Sequence, residues 1–198
     1  MMSGTATVSP PQADGWAMFN VDPFLAQRVV RYHHKHGFRC AVETGTFKGH
    51  TTVGLAKLFP KVYTIEFDEA LYQQTTPRFD VYHNVTALHG NSPEVIQRIL
   101  PELDYPLFVY LDAHWNTYWP LRDELTPLLS VKRPKLIMIH DVRVPGRSFG
   151  YDAYAGRPCD LDLIGDLLSH DECRYAFNDR TAPNSANRGV LFIEHLLD

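Results

Sequence analysis

Between residues 40 and 139 the chain alternates short apolar runs with longer stretches in which apolar side chains recur at helical spacing. The runs at 40–42, 62–65, 85–88, 107–111 and 136–139 are short and β-branched or apolar, as strands are. Helix-like stretches at 51–58, 69–76, 93–100 and 121–129 separate them. Because a parallel neighbour is reached only through a crossover, this rhythm predicts parallel βαβ units. Ahead of them Phe19, Val21, Phe24, Leu25, Val29, Val30 and Tyr32 recur at roughly helical intervals. They predict an amphipathic helix over 22–36 that ends near Gly37 and covers one face of the core. The last third changes character. A loop carrying Gly146, Gly150 and Gly156 precedes a helix near 161–168, and two runs at 174–177 and 190–194 flank the polar segment 178–188, consistent with an antiparallel hairpin at a sheet edge.

The expected architecture is therefore a single α/β domain, Rossmann-like, with a mostly parallel seven-stranded sheet, helices on both faces and an antiparallel last strand. Residues 1–14 read as a disordered tail. The domain proper spans 15–198, with an N-terminal helical segment at 15–37, a ligand-binding core at 38–141 and a lid loop at 142–160, too long and too aromatic for a minimal connection.

Composition narrows the partners. The chain has 198 residues, 44% of them hydrophobic, enough for one substantial core. A formal net charge of -4 with no basic run leaves no electrostatic footprint for phosphate backbones, so a small solute is expected rather than nucleic acid. Cys40, Cys159 and Cys173 are widely spaced and odd in number, which suits a reducing, cytoplasmic setting better than a disulfide framework. The polar N-terminus lacks the signature of a signal peptide, no apolar run reaches spanning length, and no membrane partner is expected.

In an open α/β sheet ligands bind outside the carboxyl ends of the strands, so the residues ending each run are informative. The first run ends in Glu43-Thr44-Gly45-Thr46-Phe47-Lys48-Gly49, with Thr51 and Thr52 opening the next helix. Glycines allow a tight turn with close backbone approach, and the helix start offers unpaired N–H groups. An acidic Glu43 in that turn disfavours a phosphate dianion and favours a cationic or zwitterionic ligand, which the sulfonium and amino groups of S-adenosylmethionine satisfy. Glu66 ends the second run 21 residues after Gly45, near the interval at which nucleoside-binding folds place a carboxylate for ribose hydroxyls. Phe67 follows it. His89-Gly90-Asn91-Ser92 ends the third run, with short polar groups able to meet an adenine edge.

On these residues the segment 42–144 resembles the class I S-adenosylmethionine-dependent methyltransferases, and among them the small catechol-type metal-dependent O-methyltransferases. The first motif of that family is met by Glu43, Gly45, Gly49 and Thr51, its second acidic position by Glu66, its small polar pair by Asn91-Ser92, and its Leu-Asp-His-Trp by Leu111-Asp112-Ala113-His114-Trp115, with Ala113 inserted. The resemblance implies that Glu43 and the backbone around Gly45 hold the amino-acid part of the cofactor, Glu66 the ribose, and Ser92, His114 and Trp115 the adenine. It also implies a divalent metal at the fourth and fifth strand ends. Where the family has Asp-Asn, this chain has His140-Asp141. The ligand set becomes Asp112, His140 and Asp141, whose oxygens suit magnesium while the imidazole tilts preference toward manganese, iron or zinc. The family's catalytic lysine is replaced here by Trp115 or Asn116.

The implied activity is methyl transfer to an oxygen of a small molecule, with nitrogen acceptors a variant, and with Asp112, His140 and Asp141 as the catalytic residues. Tyr151, Asp152 and Tyr154 of the lid are the substrate candidates, and Asn184, Asn187 and Arg188 lie in a hairpin loop that could reach the same crevice. Two other classes stay open: a metal-dependent oxygenase on a methyltransferase-like fold, and a non-catalytic cofactor-binding module. A homodimer is left open as well.

Overall fold

The computed structural model describes residues 18–114 and 118–198. The expected tail at 1–14, Trp115 and Asn116 lie outside the described residues.

All seven expected strands form. They are β1 (Cys40–Thr44), β2 (Val62–Glu66), β3 (Val85–His89), β4 (Leu107–Leu111), β5 (Lys135–His140) and, after a two-stranded ribbon of β6 (Ala153–Tyr154) and β7 (Arg157–Pro158), β8 (Cys173–Phe177) and β9 (Val190–His195). The main sheet runs in the order β3-β2-β1-β4-β5-β9-β8. Only β9 is antiparallel, to both β5 and β8. The hairpin closes the sheet with its second strand inside and its first, β8, at the edge. Winding reverses between β1 and β4, and the two strands pair from Cys40–Leu107 to Thr44–Leu111. That reversal opens a crevice at their carboxyl ends, since the connecting helices depart to opposite sides.

Strand parity sorts the core into two layers. Cys40, Val42, Val109, Leu111, Ile137 and Ile139 face one side of the sheet, where Val95 and Ile96 of α4 (Ser92–Ile99) and Leu125 and Leu128 of α5 (Leu121–Ser130) pack on them. Ala41, Phe108, Tyr110, Leu136 and Met138 face the other, under Val29 of α1 (Pro23–His36) and Leu55 of α2 (His50–Leu58). Both faces of β1, β2, β4 and β5 are covered, so their side chains are buried throughout, whereas the edge strands β3 and β8 stay partly exposed. α1 starts where Asp22 accepts from Phe24 N and Leu25 N, and stops at Gly37, whose φ of 62° ends the helix while its N–H donates to His33 O. A short α3 (Glu69–Thr75) follows β2. The expected helix at 161–168 is a single turn, α6 (Leu161–Ile164), continued as a 3-10 turn through Leu167. No helix among the described residues is long and apolar enough to cross a membrane, and the three cysteines are free and buried.

Departures from ordinary backbone geometry sit at the crevice, and two bear on its construction. Gly45 has φ +80°, and a β-carbon there would lie 2.8 Å from Asp112 O, so the first turn rests directly on the end of β4. Gly45→Ala combines a left-handed conformation with that clash and is expected to cost at least about 2 kcal/mol in urea denaturation. In the second, Phe19, Asn20 and Val21 hold φ values of 54°, 56° and 61° in succession, a run costing roughly 1–2 kcal/mol per residue that tertiary contacts must supply.

Candidate active site

A cleft of about 320 Å³ opens at the carboxyl ends of β1, β2 and β4, within the size range of small-ligand sites. Gly45, Phe47, Glu66, Phe67 and Ser92 line one half; Asp112, His114, Asp141 and Asn20 line the other. The first half is preorganised by its own backbone. Phe47, at φ 47°, donates its N–H to Glu66 Oε2 at 2.8 Å, and Asp68 N donates to Oε1 at 2.9 Å. Each carboxylate oxygen keeps a lone pair for a ligand.

Parity along β1 decides where its polar residues go. Glu43 points toward α2 and does not line the cleft. It is 1% exposed, and its Oε2 accepts from Thr52 Oγ1 at 2.5 Å and Thr64 Oγ1 at 2.8 Å. The expected direct contact of Glu43 with a cofactor's amino-acid part is corrected to a supporting role beneath the turn. Burial pushes its carboxyl up to about 8, against the lowering effect of the two hydroxyls. Thr46 joins this network through Thr64, 2.6 Å between hydroxyls. Thr44 points the other way, to Glu124 of α5, and its Oγ1 accepts from Asp112 N at 3.3 Å. Ser92 Oγ donates to the same Glu124 at 2.5 Å. Buried Glu124, pushed up to about 7 by burial, thus ties the ends of β1 and β4 to the start of α4. A buried acid on an amphipathic helix left no signal in the sequence that could single it out.

Three further sequence candidates are turned away from the cleft. Thr51 accepts from Phe19 N at 3.1 Å, Gly49 packs against the Phe79 ring, and the Asn91 amide donates to Glu94 at 3.1 Å.

In the second half, Asp112, His140 and Asp141 come together as expected, each offering a ligand atom within 4.8 Å of the others. His140 is 4% exposed. Its Nδ1 lies 3.3 Å from Asp112 Oδ1 and 3.1 Å from Asp141 Oδ1, yet makes no directed hydrogen bond. Tyr110 OH donates to Asp112 Oδ2 at 2.9 Å. Burial acts to lower the His140 pKa, but the two carboxylates outweigh it and raise the imidazole to about 10. Burial likewise opposes ionisation of Asp141, and His140 with Arg188 overcomes it, bringing the carboxyl down to about 2.

His114, Asp141 and Asp152 form a second potential ligand group that shares Asp141, with His114 Nε2 3.8 Å from Asp152 Oδ2. Arg188 already occupies it, donating from Nε to Asp141 Oδ1 and from a terminal nitrogen to Asp152 Oδ1. The segment 142–160 is not a free flap. Gly150 exchanges backbone hydrogen bonds with Asn187 and Gly189, Asp152 N donates to Asp141 O, and Cys159 N to Asp152 O, each at 2.8 or 2.9 Å. Tyr154 OH reaches Asp152 at 3.3 Å and its ring stacks on Trp119, while Tyr151 projects outward, 42% exposed.

No family model matches the chain, and no curated protein resembles it in sequence. Solved structures do resemble it in shape. An O-methyltransferase from Bacillus cereus, in complex with S-adenosylhomocysteine, matches with a TM-score of 0.65 at 18% identity over 87% of this chain and 81% of its own. The O-methyltransferase TomG from Streptomyces achromogenes, involved in tomaymycin synthesis and bound to S-adenosylmethionine, matches at 0.61 and 19% identity over 86% and 79%. This chain has the methyltransferase fold. In the methyltransferase fold as this chain builds it, the strand-order reversal at β1 and β4 accounts for the cleft's position, and the pairings of Glu124, Arg188 and Asn20 are what the sequence did not disclose.

Proposed function

We propose that this chain transfers the methyl group of S-adenosylmethionine to an oxygen of a small-molecule acceptor. The observation that carries this is the cleft at the switch between β1 and β4, with the Glu66 carboxylate in its wall and Asp112 and Asp141 across from it. The bound cofactor and product reported for the TomG and Bacillus cereus structures support the same ligand here. Glu66 would accept from the ribose hydroxyls with the lone pairs its backbone partners leave free. Phe47 and Phe67, both largely exposed, would cover apolar surface of the nucleoside.

In the reaction the acceptor oxygen attacks the methyl carbon in line, the carbon–sulfur bond breaks with its electron pair going to sulfur, and the acceptor's proton leaves. Holding oxygen and methyl in near-attack geometry supplies most of the rate. His140, cationic near neutral pH in the free protein, is not a base there. Asp112, which lines this half of the cleft together with Asp141, would take the acceptor's proton.

Asp112, His140 and Asp141 fit a divalent cation. A buried imidazole nitrogen without a directed hydrogen bond faces two carboxylates, a donor set for manganese or magnesium, less so for iron. Such a cation, when bound, supplies charge that lowers the pKa of an acceptor hydroxyl.

Titration calorimetry with S-adenosylmethionine and S-adenosylhomocysteine, with and without EDTA, tests the reading. Binding of both is expected, weakened by about 1–3 kcal/mol in Glu66→Ala. Absence of binding at submillimolar concentration would overturn the cofactor assignment.

A further inference from the structure

We propose that Asn20 is a positioning residue for His140, held over the imidazole by a left-handed turn, and that it serves as the outer hydrogen-bond partner of His140 when Nδ1 faces a cation. The proposal rests on the metal reading given above and adds a residue to it.

Asn20 Nδ2 lies 3.4 Å from His140 Nε2, and the Asn20 side chain lines the cleft. The two ring nitrogens therefore have different surroundings, Nδ1 between Asp112 and Asp141 and Nε2 against Asn20. An imidazole that ligates through one nitrogen carries its proton on the other, and that N–H needs an acceptor to hold the ring in place. An asparagine serves both states. Whether the ring is cationic or ligates through Nδ1, Nε2 carries a proton, and the amide, turned over, accepts it at Oδ1.

The backbone beneath Asn20 is built against local preference. Asparagine tolerates a left-handed conformation, but Phe19 and β-branched Val21 do not favour it. Anchors on either side impose it. Phe19 N donates to Thr51 Oγ1 at 3.1 Å, and Val21 N and Asp22 N donate to Met18 O and Phe19 O at 3.1 and 3.2 Å. The Phe19 ring, fully buried, meets Tyr110 edge-on with centroids 4.9 Å apart. Buried Asp22 caps α1 and accepts from Ala182 N at 3.3 Å. Tyr110 is also the donor to Asp112, so one ring locates both the turn and a carboxylate beside His140. Strain that persists at a cleft because its surroundings over-determine it is a recurring property of functional backbone.

The test uses the full chain labelled with ¹⁵N-histidine, with the His140 ring resonances identified by their loss in His140→Gln, and Mn²⁺ titration at fixed pH. Asn20→Ala is expected to shift both ring-nitrogen resonances and to weaken Mn²⁺ binding tenfold to a hundredfold. Asn20→Asp, which retains an acceptor, should bind Mn²⁺ at least as tightly as the unmodified chain. Asn20→Gly relieves the strain and should melt no lower than the unmodified chain while losing Mn²⁺ affinity as Asn20→Ala does. Val21→Gly, relieving strain without touching the amide, should leave Mn²⁺ affinity unchanged. Unmoved resonances and unchanged affinity in Asn20→Ala and Asn20→Gly overturn the proposal and leave the metal reading standing. If the unmodified chain itself fails to bind Mn²⁺, a resonance shift in Asn20→Ala keeps the positioning role and removes its metal, whereas no shift removes both.

Discussion

Between pH 4.5 and 8 the Glu43 carboxyl is expected to take about 5 kcal/mol of stability from the folded state, a loss that Glu43→Gln removes. Burial pushes the Glu43 carboxyl up to about 8 from an ordinary 4.5. The folded protein therefore keeps a proton that the unfolded chain releases above pH 4.5. Across this window Glu43 holds a proton in the native state that it releases in the unfolded state, so its contribution is fully present below pH 4.5, falls as pH rises and is gone above pH 8, while His140, raised to about 10, extends the decline of the whole protein beyond that. Each pKa unit is worth about 1.4 kcal/mol, which sets the magnitude. Glu124, raised to about 7 for the same reason, adds a loss in the same direction that ends nearer neutrality. Urea denaturation from pH 4 to 9 reads the slope directly. A curve that rises through this interval in the unmodified chain would mean that Glu43 is ionised in the folded state, with Thr52 and Thr64 satisfying a charge rather than a neutral acid.

Arg188→Met should cost about 2–4 kcal/mol, somewhat less than breaking a fully buried pair, because the Arg188 side chain keeps 26% exposure. The guanidinium is the one group among the described residues that bridges Asp141 to Asp152. Without it the Asp141 and Asp152 carboxylates, whose oxygens lie within 4.8 Å, face each other, and the segment carrying Asp152 loses its electrostatic tie to the end of β5. Amide exchange is expected to accelerate in residues 150–158, with α1 and the central strands unaffected. Arg188→Lys should recover only part of the stability, since one ammonium cannot reproduce the fork that meets two carboxylates. Equal stability of Arg188→Met and the unmodified chain would show that the backbone ties of Gly150 to Asn187 and Gly189 hold the segment unaided.

How much of this was legible in the sequence follows from what depends on near neighbours along the chain. Strand and helix positions follow from periodicity because burial is decided face by face, and a strand covered on both sides cannot hide its apolar run. The turn at Gly45 and the spacing to Glu66 were legible for a similar reason, since both are set within one βαβ unit. Asp112, His140 and Asp141 were found because each ends a strand and parallel strands bring their carboxyl ends to one edge of the sheet. Facing was not legible wherever it depended on parity at a strand's last residue. Glu43 and Thr44 are adjacent in sequence but point to opposite layers, toward Thr52 and Glu124 respectively, and neither carries a mark of its destination.

The contacts that shape the acceptor half come from segments far apart in the chain. Asn20 meets His140 across 120 residues and Arg188 meets Asp141 across 47. The sequence by itself determined the sheet, the cofactor-side turn and the strand-end acids, because periodicity and local turn chemistry are properties of short segments. Only the tertiary structure decided that Glu43 is buried against Thr52 and Thr64, that Arg188 fills the second acidic group and that a left-handed turn carries Asn20 to His140, because each requires two distant segments to be packed before either side chain has a partner.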